Sequence, residues 1–260
     1  MVALCAALLL GGQSLKAEDP KQIVQQAVNT ELAANRDDNS HWRYLRREGV
    51  GDVTVVVETE DGAIGRHIEQ GGRPAPAATL ASENEYIQRF IHDPNLRQRQ
   101  RRDGEHDEKD ATELLNLLPQ AFDWKIESET GETFVLAFKP DPRFRPPDME
   151  ARVMGEMEGT LIVDKTQHRI VTMKGKLSED VTIGWGILGR LKQGGTFNIE
   201  RRQVAPGFWE ITETHVHISG RALFFKTIGQ QQDEVKTDFT LVPPGTTLEQ
   251  AVEMLNQPAK

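Results

Sequence analysis

Cysteine is almost missing from this chain: one of the 260 residues, Cys5, and it lies inside the opening apolar run "MVALCAALLL". Without that segment no thiol remains, which excludes disulfides, thiolate nucleophiles and cysteine-held metal. Long hydrophobic runs are missing too. Residues 1–10 are too few to cross a bilayer, which takes about 20 apolar residues, so no transmembrane span is expected. Basic residues are outnumbered 31 to 40, leaving a net charge of −9. A surface of that sign repels nucleic acid and anionic headgroups, so no nucleic-acid partner is expected.

Catalytic signatures are equally scarce. There is no G-x-S-x-G elbow, H-E-x-x-H, Walker loop or C-x-x-C. The reading is of a protein that is not an enzyme and carries no cofactor. A hydrolase assembled from scattered residues is the remaining catalytic alternative.

One string does look like a cofactor loop. "TIGWGILGRLKQGG", 182–195, contains Gly184, Gly186 and Gly189 in G-x-G-x-x-G spacing. A dinucleotide fingerprint needs a strand, the glycine turn, a full helix and a parallel strand ending in an acid. Here Gly194-Gly195 would stop a helix after about two turns, and a strand carrying Arg201 and Arg202 follows. The glycines read as a strand connection. Its apolar residues, Trp185, Ile187, Leu188 and Leu191, either fold onto the core or form a lid or membrane-facing tip.

The segment 1–17 reads as a secretory signal with Ala17 at the cleavage point, although the usual basic start is missing. Its removal takes away one positive charge, Lys16, and makes the balance −10. Export without disulfides fits a periplasmic or secreted protein of the bacterial envelope. Residues 18–260 then form a single α+β domain.

Patterning predicts a first helix capped by Asp19, with Pro20 in its first turn and Ile23, Val24, Ala27, Val28 and Leu32 on one stripe. Strands follow at 40–48, 52–60 and 63–70, the last two joined at Asp61-Gly62. A charged helical insertion spans 82–118, with Ser82 and Glu85 as a capping box, Leu80 or Ala81 stapled to Tyr86, a break at Asp93-Pro94 and a weak point at Asp103-Gly104. From Phe122 onward strands are expected at 122–129, 133–140, 151–164, 169–177, 195–204, 207–220, 222–229 and 235–242. The proline-rich stretch 139–148 cannot lie inside a sheet, and a last helix, 247–256, is capped by Thr247 with Gln250. Short connections between consecutive strands predict an antiparallel meander.

Polar candidates are weak. His215 and His217 share a strand face, but zinc needs three or four ligands and only His67 or Glu213 could join them by tertiary accident, so no metal is expected. Glu156 and Glu158 are expected on one strand face about 6.5 to 7 Å apart, yet carboxylates on one strand do not flank a glycosidic bond. The run 97–110 is basic, then acidic. Arg99 with Asp103 and Arg101 with Glu105 fall four apart, as on a solvated helix, and the run could also serve a protein partner.

Apolar surface is the strongest remaining signal. Phe134, Leu136 and Phe138 share a face; so do Val153, Met157, Leu161 and Val163, and Val171, Met173 and Leu177. Trp209, Ile211, Phe224 and Phe225 add to them. A sheet with one apolar side must cover it with helices or enclose a cavity. The expected ligand site is therefore the hollow lined by Phe134, Leu136, Phe138, Met157, Leu161, Val171, Met173, Trp209, Ile211 and Phe224.

"MEGTLIVDKTQHRIVTMKGKL", 157–177, resembles the strand, Asp-x-Thr turn and strand of the LolA/LolB-like lipoprotein-carrier superfamily, through Gly159, Asp164, Thr166, Arg169, Ile170 and Val171. The whole chain is also similar to exported bacterial proteins of unassigned function that carry "GWGILG" and "GGTF" stretches. The superfamily resemblance implies a strongly curved antiparallel half-barrel with helices on its concave face. It also implies a hydrophobic partner: a small molecule, a lipid or an acylated protein. A protein-interaction or regulatory module on the same scaffold is the alternative.

Overall fold

The computed structural model describes residues 18–183, 189–222 and 227–257, with side chains set aside at 183, 189, 221, 222 and 227–230. The first helix, α1 (Pro20–Asp37), forms as its sequence predicts: Asp19 accepts from the Lys21 N–H, and Ile23, Val24, Ala27 and Val28 are buried. Strands β1 (Trp42–Glu48), β2 (Asp52–Thr59) and β3 (Gly62–Gln70) follow, with a short β4 (Arg73–Pro74). At the β2–β3 turn Gly62 takes φ 125°, a conformation that an L side chain rarely adopts.

The helical insertion is longer than its pattern indicated. It comprises α2 (Ala77–His92) and α3 (Pro94–Ala121), divided at Asp93 as expected, where Asp93 accepts from the Asn95 N–H. Ser82 does not cap α2; its hydroxyl donates to the Ala78 carbonyl inside the helix. Tyr86 stacks on Phe90 in place of a staple to Leu80 or Ala81. Nor does α3 break at Gly104 or stop before Pro119. Gly104 faces open space, and a propensity cost of about 1 kcal/mol is too small to interrupt so long a helix.

Beyond it lie β5 (Phe122–Glu129) and β6 (Thr133–Pro140). The proline-rich connection leads to a helix, α4 (Met149–Gly155), where a strand was expected from Ala151. Asp148 accepts from the Ala151 N–H, and this cap outweighs the alternation that continues through Met157. Next are β7 (Met157–Asp164), β8 (Ile170–Leu177), and two short strands around the glycine string, β9 (Val181–Ile183) and β10 (Gly189–Leu191). Then come β11 (Thr196–Ala205), β12 (Phe208–Ala222) and β13 (Thr227–Leu241). The two strands expected at 222–229 and 235–242 are replaced by β13, which runs through the polar "QQQDE", and α5 (Leu248–Leu255) carries the Thr247–Gln250 capping box.

All pairings are antiparallel, in the order β4-β3-β2-β1-β13-β12-β11-β8-β7-β6-β5, with β10 beside β12 and β9 beside β10. The sheet is open, and β1 joins it through the last strand. Cross-strand register separates two faces. Leu136, Leu161, Met173, Ile199, Thr214 and Glu234 form one row. Ala137, Thr160, Lys174, Asn198, His215 and Asp233 form a row on the other side.

Helices occupy both faces, at opposite ends. On the Leu136 face, Val24, Ala27 and Val28 of α1, Leu118 of α3 and Met154 of α4 pack on Phe134, Leu136, Phe138, Leu161 and Val163. Glu48 pairs with Glu234, so Leu45, three residues earlier, points to the opposite side. There Leu45, Val55, Val57 and Ile64 are covered by Ile87 and Phe90 of α2 and by Leu248, Ala251 and Leu255 of α5. Each Val, Leu, Ile, Phe or Met among them contributes about 1.5–3 kcal/mol when fully buried. The Lys174 face between β5 and β11 has no helix among those core contacts. Among the described residues no helix is long and apolar enough to cross a membrane.

Candidate functional site

Three polar arrangements stand out, and the first is internal. Spacing puts Glu31 on the apolar stripe of α1, three residues after Val28, and it is 0% exposed. Its Oε2 lies 2.8 Å from both Arg169 Nη2 and Arg201 Nη1. Neither approach runs along a hydrogen-bond line, so these contacts are ionic. Oε1 accepts from Arg169 Nε at 3.1 Å and from the Ile170 N–H at 2.8 Å. Burial presses the Arg201 guanidinium below its ordinary value, and Glu31 pulls the other way. Arg201 also donates to the Trp209 carbonyl, and Arg169 lies over the Trp209 ring.

Nearby, Trp42 packs edge-on against Phe208 and Phe239, and Tyr44 stacks on Phe239. Asp238, at φ 58°, lies where the β1–β13 register slips, and this bulge lets Lys236 and Phe239 both reach the Tyr44 ring. Ala63 of β3 and Val204 of β11 join the same cluster, although five places separate their strands in the sheet order. Two carboxyls border it. Burial raises Glu58, which accepts from the Trp42 N–H at 3.1 Å. Burial, then Glu58 and Asp38, pushes Glu210 up to about 7. Burial followed by Glu58 also raises the Tyr44 phenol. A carboxyl near 7 suits proton transfer, but Glu210 lines neither the trough described next nor the smaller hollows around the helices.

The second arrangement is a shallow trough of about 710 Å³ on the face opposite α1. Its walls include Lys139, Lys174, Lys176, Glu127, Glu158, Thr160, Thr196 and Asn198. Gly159 and Gly175 pair directly at its floor. A Cβ on Gly159 would stand 2.0 Å from the Lys174 carbonyl oxygen, so only glycine permits this backbone approach. Lys176 pairs with Glu158 at 3.4 Å. Lys139 and Lys174 form no ion pair among the described residues.

Third, Asp233 is shared by the two strand histidines. Oδ1 lies 2.8 Å from His215 Nδ1, and Oδ2 lies 2.8 Å from His217 Nε2. Hydrogen bonds from both rings hold the Asp233 carboxyl below its ordinary value. Glu213 approaches His215 only to 3.7 Å, and His67 pairs instead with Glu83. Among the described residues no group of three His, Cys, Asp or Glu side chains is placed to hold a metal ion.

Of the expected ligand residues, Phe134, Leu136, Phe138 and Leu161 are buried under α1, α3 and α4. Met157, Val171, Met173 and Trp209 are half-buried, and Ile211 is 40% exposed. Leu191 packs with Leu177, Val181 and Ile218. The segment 1–17, Trp185, Ile187, Leu188, Phe224 and Phe225 lie outside the described residues. Glu156 does not share a strand face with Glu158; it ends α4. Along the exposed run of α3 the ion pairs formed are His106–Asp110 and Lys109–Glu113.

Sequence reasoning missed Glu31, Arg169, Arg201, Glu58 and Glu210. The one available signal was an acid on the buried stripe of α1. Comparison of the chain with protein-family models, curated proteins and solved structures finds no match in any of the three.

Proposed function

We propose that this chain is a non-catalytic binding module of the bacterial envelope that receives a protein partner on the helix-free part of its sheet. One observation carries the reading. The apolar face is filled by the chain's own helices, with Leu136 and Leu161 at 0% exposure, while a wide trough walled by Lys139, Lys174, Lys176, Glu127, Glu158 and Asn198 lies on the other side. The envelope location rests on the segment 1–17. A strongly curved, half-barrel sheet is part of this reading, and the single cluster around Trp42, Tyr44 and Val56 that both Ala63 and Val204 join from strands five places apart supports it.

The test is capture of partners from the host's own envelope by chemical cross-linking. Replacing Lys174 and Lys176 with Glu is expected to abolish a specific cross-link, and neutralising the charges of 97–110 to leave it intact. The opposite pattern moves the contact to α3, and loss in neither variant overturns a docked partner on either surface.

A second reading keeps the apolar ligand, because Met157 and Met173 pack at the edge of the filled core while half-buried, and Val171, Trp209 and Ile211 also keep exposed apolar surface. An acyl chain there gains about 0.8 kcal/mol per buried methylene. Native mass spectrometry of the protein from its own host tests it. Bound lipid that disappears in folded Trp209→Asp or Met157→Asp favours carriage; protein free of lipid ends that reading.

A further inference from the structure

We infer that the trough takes an extended acidic peptide segment, with its carboxylates on Lys139 and Lys174 and a backbone N–H on Asn198; this rests on the outer-face reading above. The chain carries a net charge of −9, so two ammonium groups without an ion-pair partner among the described residues, together in one trough, run against the overall balance. Lys139 extends from β6 and Lys174 from β8, with β7 between them. Strand spacing of about 4.8 Å separates the two strands by about 10 Å, and Lys139 stands two residues along β6 from Ala137, which is in line with Lys174, so their backbones lie about 12 Å apart. Acidic residues two apart in an extended peptide project to one side about 6.6 Å apart, within the sweep of two lysine stems.

Asn198 adds a second requirement. Its Oδ1 is shut away from solvent with no donor, a state that costs about 1–3 kcal/mol. Turning the amide about χ2 brings Oδ1 to the surface of the trough it lines, where a peptide N–H takes the place of water as its donor. A peptide fits better than an acidic sugar, because the only aromatic rings at the trough, Phe138 and Phe197, are buried and leave no platform for stacking.

Titration calorimetry on the whole mature chain tests this with acetylated hexaglutamate, hexaglutamine and polygalacturonate at low and physiological salt. Hexaglutamate is expected to bind, more weakly as salt rises, and hexaglutamine not to bind. Lys139→Gln with Lys174→Gln, both at exposed positions, is expected to weaken binding about tenfold, as two exposed ion pairs imply. Asn198→Ala is expected to weaken it further, with circular dichroism confirming the fold. Equal binding by the lysine variant, or binding of polygalacturonate without hexaglutamate, overturns the inference. If hexaglutamate fails while Lys174→Glu with Lys176→Glu still abolishes the cross-link, the acidic-peptide assignment falls and the outer-face reading stands. If both fail, both fall.

Discussion

Glu31 of α1 and Arg169, the residue before β8, meet at 2.8 Å with the carboxylate wholly buried. Arg201 approaches the same oxygen equally closely, so two strands are tied to one helix through a single acid. Glu31→Ala would leave two mostly buried guanidinium groups without their counter-charge. The expected loss is about 3–5 kcal/mol, read as a lower urea midpoint at unchanged slope. A loss below about 1 kcal/mol would mean that water enters the cluster.

Glu210 sets a pH dependence with a definite sign. Its carboxyl is raised in the fold, from 4.5 to about 7, so the folded state binds its proton more tightly than the unfolded chain does. This contribution is fully present below about pH 4.5 and is lost as pH climbs through about 7, up to about 3 kcal/mol in all. Glu210→Gln is therefore expected to raise thermal stability at pH 8 and change it little at pH 4.5. Melting curves that shift equally at both values would refute a buried titrating carboxyl.

Gly159 and Gly104 make opposite forecasts from the same substitution. A methyl group on Gly159 meets the Lys174 carbonyl, whereas one on Gly104 meets open space in the middle of α3. Gly159→Ala is expected to destabilise by several kcal/mol or prevent folding, because the β7–β8 backbones would have to part. Gly104→Ala is expected to add about 0.5–1 kcal/mol. Chemical denaturation of the two variants side by side measures both.

Thr247 offers a local check. Its hydroxyl accepts from the Gln250 N–H, and the Gln250 side chain returns the bond. Thr247→Ala is expected to cost about 1 kcal/mol, with faster amide exchange across α5, whose Leu248, Ala251 and Leu255 cover the β1–β3 strands.

These residues also divide what the sequence reveals from what it hides. Asp19, Asp93 and Thr247 act within their own helix turns, so local pattern located those helix ends. The Asp61-Gly62 turn and the alternation in β6, β7 and β8 are local too. The start of α2 lacks a side-chain cap at Pro76, and the nearest matching string, Ser82 with Glu85, drew the boundary inward. Alternation at Ala151, Val153 and Gly155 imitates a strand, but Asp148 caps a helix instead. Asp233, Arg169 and Arg201 have partners 16 to 170 residues away. No periodicity encodes such distances, so the shared carboxylates appeared only once the strands were paired.

The pairing of β1 with β13 has a consequence for how the chain is made. The β1–β3 hairpins emerge early, yet the edge of β1 facing away from β2 has no neighbour until residues 227–241 exist. That edge stays available to foreign strands throughout synthesis, and its late closure spans most of the chain, which slows assembly. The moment at which the first strands gain protection is therefore set by the last strand to be made.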